Sequence, residues 1–233
     1  NVLNLWKGFG VDARPGAWPL MQQHVTDVLA GHSAEQAAYV LRWAAWMIQN
    51  PGHQAEVALV FRGGKGTGKG TFARALRRIA GQHGCHIFSA KHLVGQFNAH
   101  LRSCVYLFAD EAFWAGDKQG ESTLKGLITE DTVPIEKKGV DLEHVVNRLH
   151  IVMAANADWV VPASHDERRY AVFDVADTMA KNKATSKSYF DALNTEMLHG
   201  GLEAMLYDLQ RMPLGDWHPR VGIDTPALQK QKA

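Results

Sequence analysis

The 233-residue chain predicts an α/β fold, a parallel, doubly wound sheet flanked by helices, with a helical annex before it and further helices after it. Three observations predict it. Four short apolar runs, at 57–62, 104–109, 150–155 and 170–175, alternate with stretches of helical period. A glycine-rich turn joins the first run to a helix-forming segment. A composition of 46% hydrophobic and 21% charged residues is that of a packed globular chain and excludes disorder and coiled coil.

Taken in order, residues 1–16 read as an irregular entry broken by Gly8, Gly10, Pro15 and Gly16. Leu20, Met21, Val25, Val28 and Leu29 recur at helical spacing, and Gly31 stops that helix. Ser33, with Gln36 three residues on, caps a helix running to about Asn50, where Pro51-Gly52 ends it. Its apolar load covers most of its surface, so Trp43 and Trp46 read as core. Residues 69–80 predict the helix after the glycine turn, and 187–212 predict two helices parted by Gly200-Gly201. The expected organisation is an annex or collar over 1–52, a core with closing helices over 53–213, and a tail or linker over 214–233.

Twenty-five basic against 24 acidic residues excludes a wholesale polycation, so any nucleic-acid contact must come from a local patch. Two cysteines, Cys85 and Cys104, without C-x-x-C spacing, make no disulfide framework and fit a reduced, cytoplasmic compartment. His83 and His86 straddle Cys85, but no fourth ligand stands at metal spacing. No apolar stretch reaches the length of a membrane span. A start at Asn1 fits a piece of a longer polypeptide.

Residues 60–72 read V-F-R-G-G-K-G-T-G-K-G-T-F, in which Gly63, Gly68 and Lys69 match G-x-x-x-x-G-K between a strand and a helix. Glycines let successive N–H groups point inward around phosphate oxygens, and the helix N-terminus and Lys69 add positive charge. Gly63, Gly64, Lys65, Gly66, Thr67, Gly68, Lys69, Gly70 and Thr71 are therefore the candidate ATP-contacting residues. Gly70 stands where Ser or Thr is usual. The Mg²⁺-binding hydroxyl is then either Thr71, after a change in loop geometry, or replaced by water.

The loop alone does not choose a reaction, because G-K-G-T also ends the loop of adenylate-kinase-like enzymes. The second apolar run does more. It leads into Asp110-Glu111, an acid able to hold the Mg²⁺ shell beside one able to polarise water toward a γ-phosphate. The third run ends at Asn156, an amide placed to sense that water or phosphate. Arg168 and Arg169 precede the fourth run, and guanidinium stabilises a transferring phosphoryl group.

In this order the motifs resemble superfamily 3 helicases of the AAA+ class, above all the helicase domains of phage, plasmid and large-DNA-virus primase-helicases and primase-polymerases. The matching stretches are GGKGTGKGT, CVYLFADEAFWAGDK, LKGLITEDTVPIEKKG, IVMAANADWVVP and DERRYAVFDV, and the likeness spans roughly Leu5 to Leu209. The resemblance implies an AAA+ P-loop NTPase in a homo-hexameric ring, with ATP hydrolysed between subunits and single-stranded DNA in the central channel. It makes Lys69 the loop lysine, Asp110 and Glu111 the metal and water carboxylates, Asn156 the sensor, and Arg168 or Arg169 a finger acting on a neighbour's site.

The DNA-contacting element is expected between the acidic pair and Asn156. Lys125 lies near the end of a helix, and 133–136 and 142–146 pair as a hairpin about Lys137-Lys138-Gly139. Tip lysines facing a channel grip phosphates, and His144 on the return arm adds a contact. Arg74, Arg77 and Arg78 read as an interface or solvent face. Two other readings stay open: a nucleotide kinase, and an AAA+ loader or assembly ATPase. No second cluster of acids serves primer synthesis, so a primase or polymerase domain of the same polypeptide would lie upstream of Asn1.

Overall fold

The computed structural model describes residues 4–88, 98–111, 118–137, 139–156, 168–180 and 183–232. Its strands are β1 (Ala58–Arg62), β2 (Gly84–Ile87), β3 (Tyr106–Asp110), β4 (Thr132–Lys137), β5 (Val140–Val146), β6 (His150–Ala155) and β7 (Tyr170–Asp174). Five of them form one sheet in the order β2-β3-β6-β1-β7, each neighbouring pair parallel. The β4–β5 pair is a separate antiparallel hairpin. The expected apolar runs are thus the sheet's strands, joined at one edge by β2, whose four residues Gly-Cys-His-Ile carry too little apolar pattern to announce a strand.

The helices are α1 (Pro19–Gln23), which continues as a π-helical turn (His24–Leu29), α2 (Ala34–Gln49), α3 (Lys69–Ala80), α4 (Lys118–Thr129), α5 (Lys183–Glu196), α6 (Leu202–Arg211) and α7 (Pro226–Lys232). Ser33 caps α2, its side chain accepting from Gln36 N–H at 3.3 Å. Alternate strand residues face opposite layers. Leu59, Phe61, Tyr106, Phe108, Val152 and Phe173 pack under α1, α2, α3 and α6. Ala58, Val60, Leu107, Ile151, Met153 and Val172 pack under α4, the hairpin and α7. This explains why β1 and β6 are buried along their whole length. Trp43 is fully buried, its indole N–H donating to Val57 O at 2.8 Å.

The expected tail, 214–233, is instead a packed element. Trp217 meets Tyr39 edge to face, and the Tyr39 hydroxyl donates to Pro219 O at 2.7 Å. Thr225 Oγ1 donates to Val172 O and accepts from Leu228 N–H, seating α7 with Ala227 and Leu228 buried against β7. Its few apolar residues are too dispersed to show a period. The annex likewise shares one core with the sheet. Among the described residues no helix is long and apolar enough to cross a membrane, and Cys85 and Cys104 are free thiols.

Two buried histidines make the fold acid-sensitive. His150 sits edge-on to Trp43 with Nδ1 3.1 Å from Val105 O, and burial pulls its pKa down to about 4. Burial does the same to His24, also to about 4. The unfolded chain, with histidines near their ordinary value, takes up protons first. The stability held above about pH 6.5 is therefore lost as pH falls toward 4. Denaturant titrations at pH 7 and pH 5 should show a loss on the order of 2 kcal/mol per histidine. Equal stabilities at the two pH values would contradict burial of neutral rings.

Candidate nucleotide site

All the strands of the sheet run in one direction, so the residues following β1, β3 and β6 meet at one edge. β1 lies between β6 and β7, while its own chain continues through α3 to the far side of the sheet. The crevice outside the carboxyl ends of adjacent strands is the place where open α/β sheets take ligands.

The glycine-rich loop fills that crevice. At its root Arg62 Nε donates to Asp174 Oδ1 at 2.6 Å, across a register that pairs these two residues. Gly63 N–H donates to Ala155 O at 3.2 Å, and a Cβ on Gly63 would stand 3.2 Å from Val175 O. Buried Thr67 donates from Oγ1 to Gly64 O at 3.0 Å. Gly68 has φ +95° and opens α3, and a Cβ there would meet His24 Cε1 at 2.6 Å and Phe190 Cε1 at 2.9 Å. Lys65 and Gly66 are exposed.

Lys69 Nζ donates to Gly63 O, Gly64 O and Asn156 Oδ1, each at 2.6 Å, which uses all three ammonium protons. Asn156 Nδ2 in turn donates to Glu111 Oε1. Burial lowers the Lys69 pKa, and the charges of Glu111 and Asp110 oppose that shift. Glu111 has φ +52°, a left-handed conformation unusual for a residue with a side chain, with its N–H on Ala154 O at 2.9 Å. The structure thus brings together Lys69, Asp110, Glu111 and Asn156, from three separate segments of the sequence.

Two residues stand beside Asp110 that the sequence did not single out for this site. His86 stacks on Phe108 and places Nε2 3.5 Å from Asp110 Oδ2; burial lowers its pKa and the Asp110 charge opposes this. Arg74 reaches within 4.0 Å of the same oxygen. Behind the loop, His24 bridges Gly68 O (3.1 Å) and the Tyr189 hydroxyl (3.0 Å). A cleft of about 550 Å³ opens between the loop and α5, lined among others by Lys65, Thr71, Met179, Ser186 and Phe190. The Ser186 hydroxyl is buried there with no hydrogen-bond partner among the described residues.

The other expected residues are dispersed. The hairpin is present, with Pro134 opposite His144, and His144 is exposed. Lys137 ends β4 opposite Val140, and Lys138 lies outside the described residues. Lys125, one turn from the end of α4, pairs with Glu121 at 2.7 Å. Exposed Arg168 and half-buried Arg169 precede β7, and Arg169 O accepts from Ala58 N–H at 2.8 Å. That is the opposite edge of the sheet from the loop, a strand length of roughly 16 Å away. Neither arginine is on the edge that carries its own chain's glycine loop.

Residues 61–169 match a family of unknown function, DUF5906. Over 170 residues the chain is 25% identical to the DNA primase-polymerase of Nitratiruptor phage NrS-1, covering 71% of this chain and 24% of that protein. The fold is that of the NrS-1 C-terminal region. One apo structure of that region matches with a TM-score of 0.80 at 20% identity, over 95% of this chain and 52% of the other. A second, an A-form apo structure, gives 0.76 at 21% identity over 94% and 50%. The chain spans about a quarter of the length of the phage protein and about half of each solved chain.

The tight seat of Gly68 yields a direct check. Gly68→Ala combines a left-handed backbone with contacts to two ring side chains, and should cost about 1–3 kcal/mol of stability. Thermal or denaturant unfolding reads the loss; an unchanged midpoint would contradict the packing of His24 and Phe190 against the loop.

Proposed function

We propose that this chain is the ATP-hydrolysing DNA helicase module of a phage replication protein, an AAA+ engine that moves along single-stranded DNA. The observation that carries the proposal is the hydrogen-bonded chain from Lys69 through Asn156 to Glu111, set beside Asp110 at the mouth of a glycine-rich loop. The likeness to the phage primase-polymerase supports a role in DNA replication.

In this reading the loop N–H groups and Lys69 hold the triphosphate, Lys69 exchanging its bonds to Gly63 O and Gly64 O for phosphate oxygens. The donors suit a Mg²⁺ carried in by the nucleotide. A single carboxylate, Asp110, stands at the strand end, and no group of three or more His, Cys, Asp or Glu forms a metal cage among the described residues. Asp110 would hold the ion, which when bound draws charge from the transferring phosphoryl group. Thr71, the first hydroxyl after Gly70, or water would complete the shell. Glu111 orients and deprotonates the attacking water, and Asn156, bonded to both Lys69 and Glu111, keeps base and phosphate in register. Exposed Glu111 is open to the attacking water, which a kinase's reaction must exclude.

The position of Arg168 and Arg169 at the far edge supports hydrolysis between subunits: they complete a neighbour's site and not their own. The hairpin tip, Lys137-Lys138, grips DNA phosphates in the channel of a hexameric ring.

Glu111→Gln should keep ATP binding within about threefold and lower turnover by about 100-fold or more. Equal mixtures of Lys69→Ala chains with Arg168→Ala/Arg169→Ala chains should regain turnover that neither has alone, because some interfaces pair an intact loop with intact arginines. Mixtures no more active than their components would remove the arginines from catalysis in trans. Lys137→Ala with Lys138→Ala should keep basal ATPase and lose its response to single-stranded DNA; normal unwinding by that double variant would refute the hairpin assignment.

A further inference from the structure

We infer that Arg74 is a second basic arm of the phosphate site, acting in cis, and that position 70 is glycine in order to admit it. The inference rests on the nucleotide reading above and adds to it a residue that the glycine motif does not contain.

Helical side chains lean toward the helix N-terminus, so a residue one turn along covers the position four before it. Arg74 stands in that relation to Gly70. A Cβ built on Gly70 would lie 2.4 Å from Arg74 NH1 and 3.1 Å from its Cζ, with Phe108 Cζ at 3.3 Å. The guanidinium therefore occupies the volume where the hydroxymethyl of the usual Ser or Thr would begin. It lines the cleft together with Lys65, Gly66, Gly68 and Thr71, and its side chain is 52% exposed, so its fork is open to a ligand.

Its only ionic partner in this structure is a distant one among the described residues, Asp110 Oδ2 at 4.0 Å. An exposed pair at that separation contributes little and gives no reason for a glycine at position 70. A phosphate ligand does give one. Guanidinium offers parallel N–H donors that match two phosphate oxygens, and here they project beside the start of α3. The motif lacks a metal-binding hydroxyl at position 70 and gains a cation in the same place.

The test is equilibrium binding of N-methylanthraniloyl-ADP and -ATP to the whole chain, with EDTA and with Mg²⁺. Arg74→Ala should weaken binding about 10–100-fold in both conditions, with Arg74→Lys intermediate. Gly70→Ser restores the usual motif, yet it should weaken binding by about tenfold or more, with little further loss when combined with Arg74→Ala. Thermal unfolding of each variant, unchanged from wild type, separates a lost contact from a damaged loop. Arg74→Ala binding within twofold of wild type, or Gly70→Ser binding more tightly only with Mg²⁺, would overturn the inference while leaving the nucleotide site intact. A wild-type chain that binds neither probe would overturn the nucleotide reading itself.

Discussion

The structure turns on an alternation of charge and amide across three strand ends: ammonium of Lys69, amide of Asn156, carboxylate of Glu111. Each link needs a different strand. Lys69 follows β1, Asn156 follows β6 and Glu111 follows β3, and these three strands are adjacent in the sheet. A slip of one residue in either pairing would turn the strand side chains to the wrong layer and draw the three groups apart. The buried alternation of Leu59, Phe61, Phe108 and Val152 against one layer, and Val60, Leu107 and Met153 against the other, is what prevents it.

The same directionality separates the two halves of the proposed chemistry. The glycine loop, Asp110, Glu111 and Asn156 occupy the edge where the strands end. Arg168 and Arg169 occupy the edge where β7 begins. In the proposed chemistry a second copy, and not the same chain, brings these arginines to the loop. The loop's rear support comes from still other segments. His24, from the annex, and Phe190, from α5, both press on Gly68, so the annex and the closing helices hold the loop as well as the core.

Much of this was legible in sequence because it is local. The strands at 58–62 and 150–155, the helix beginning at Lys69 and the hairpin around residues 137–139 each follow from short-range pattern. The edge strand β2 was not legible, since four residues with one isoleucine show no strand period. Helix α7 was hidden for a similar reason: its dispersed apolar residues show no period, and only contact with β7 and Tyr39 makes Pro219 and Pro226 starters of a turn and a helix. His86, His24 and Phe190 have no local signature at all, because each meets its partner across a long loop in the chain. Arg74 is an intermediate case. Its spacing of four from Gly70 was visible, but the meaning of that spacing depends on seeing the guanidinium in the space above the glycine.

The central claim is that this edge hydrolyses ATP in response to DNA. Steady-state ATP turnover of the chain, with and without single-stranded DNA and across a range of salt, tests it most directly. The account predicts turnover stimulated by DNA, with the stimulation fading as salt rises because lysine–phosphate contacts release counterions. Turnover indifferent to DNA at every salt concentration, and raised instead by a nucleoside monophosphate, would contradict it and place the chain among phosphoryl-transfer enzymes of small molecules.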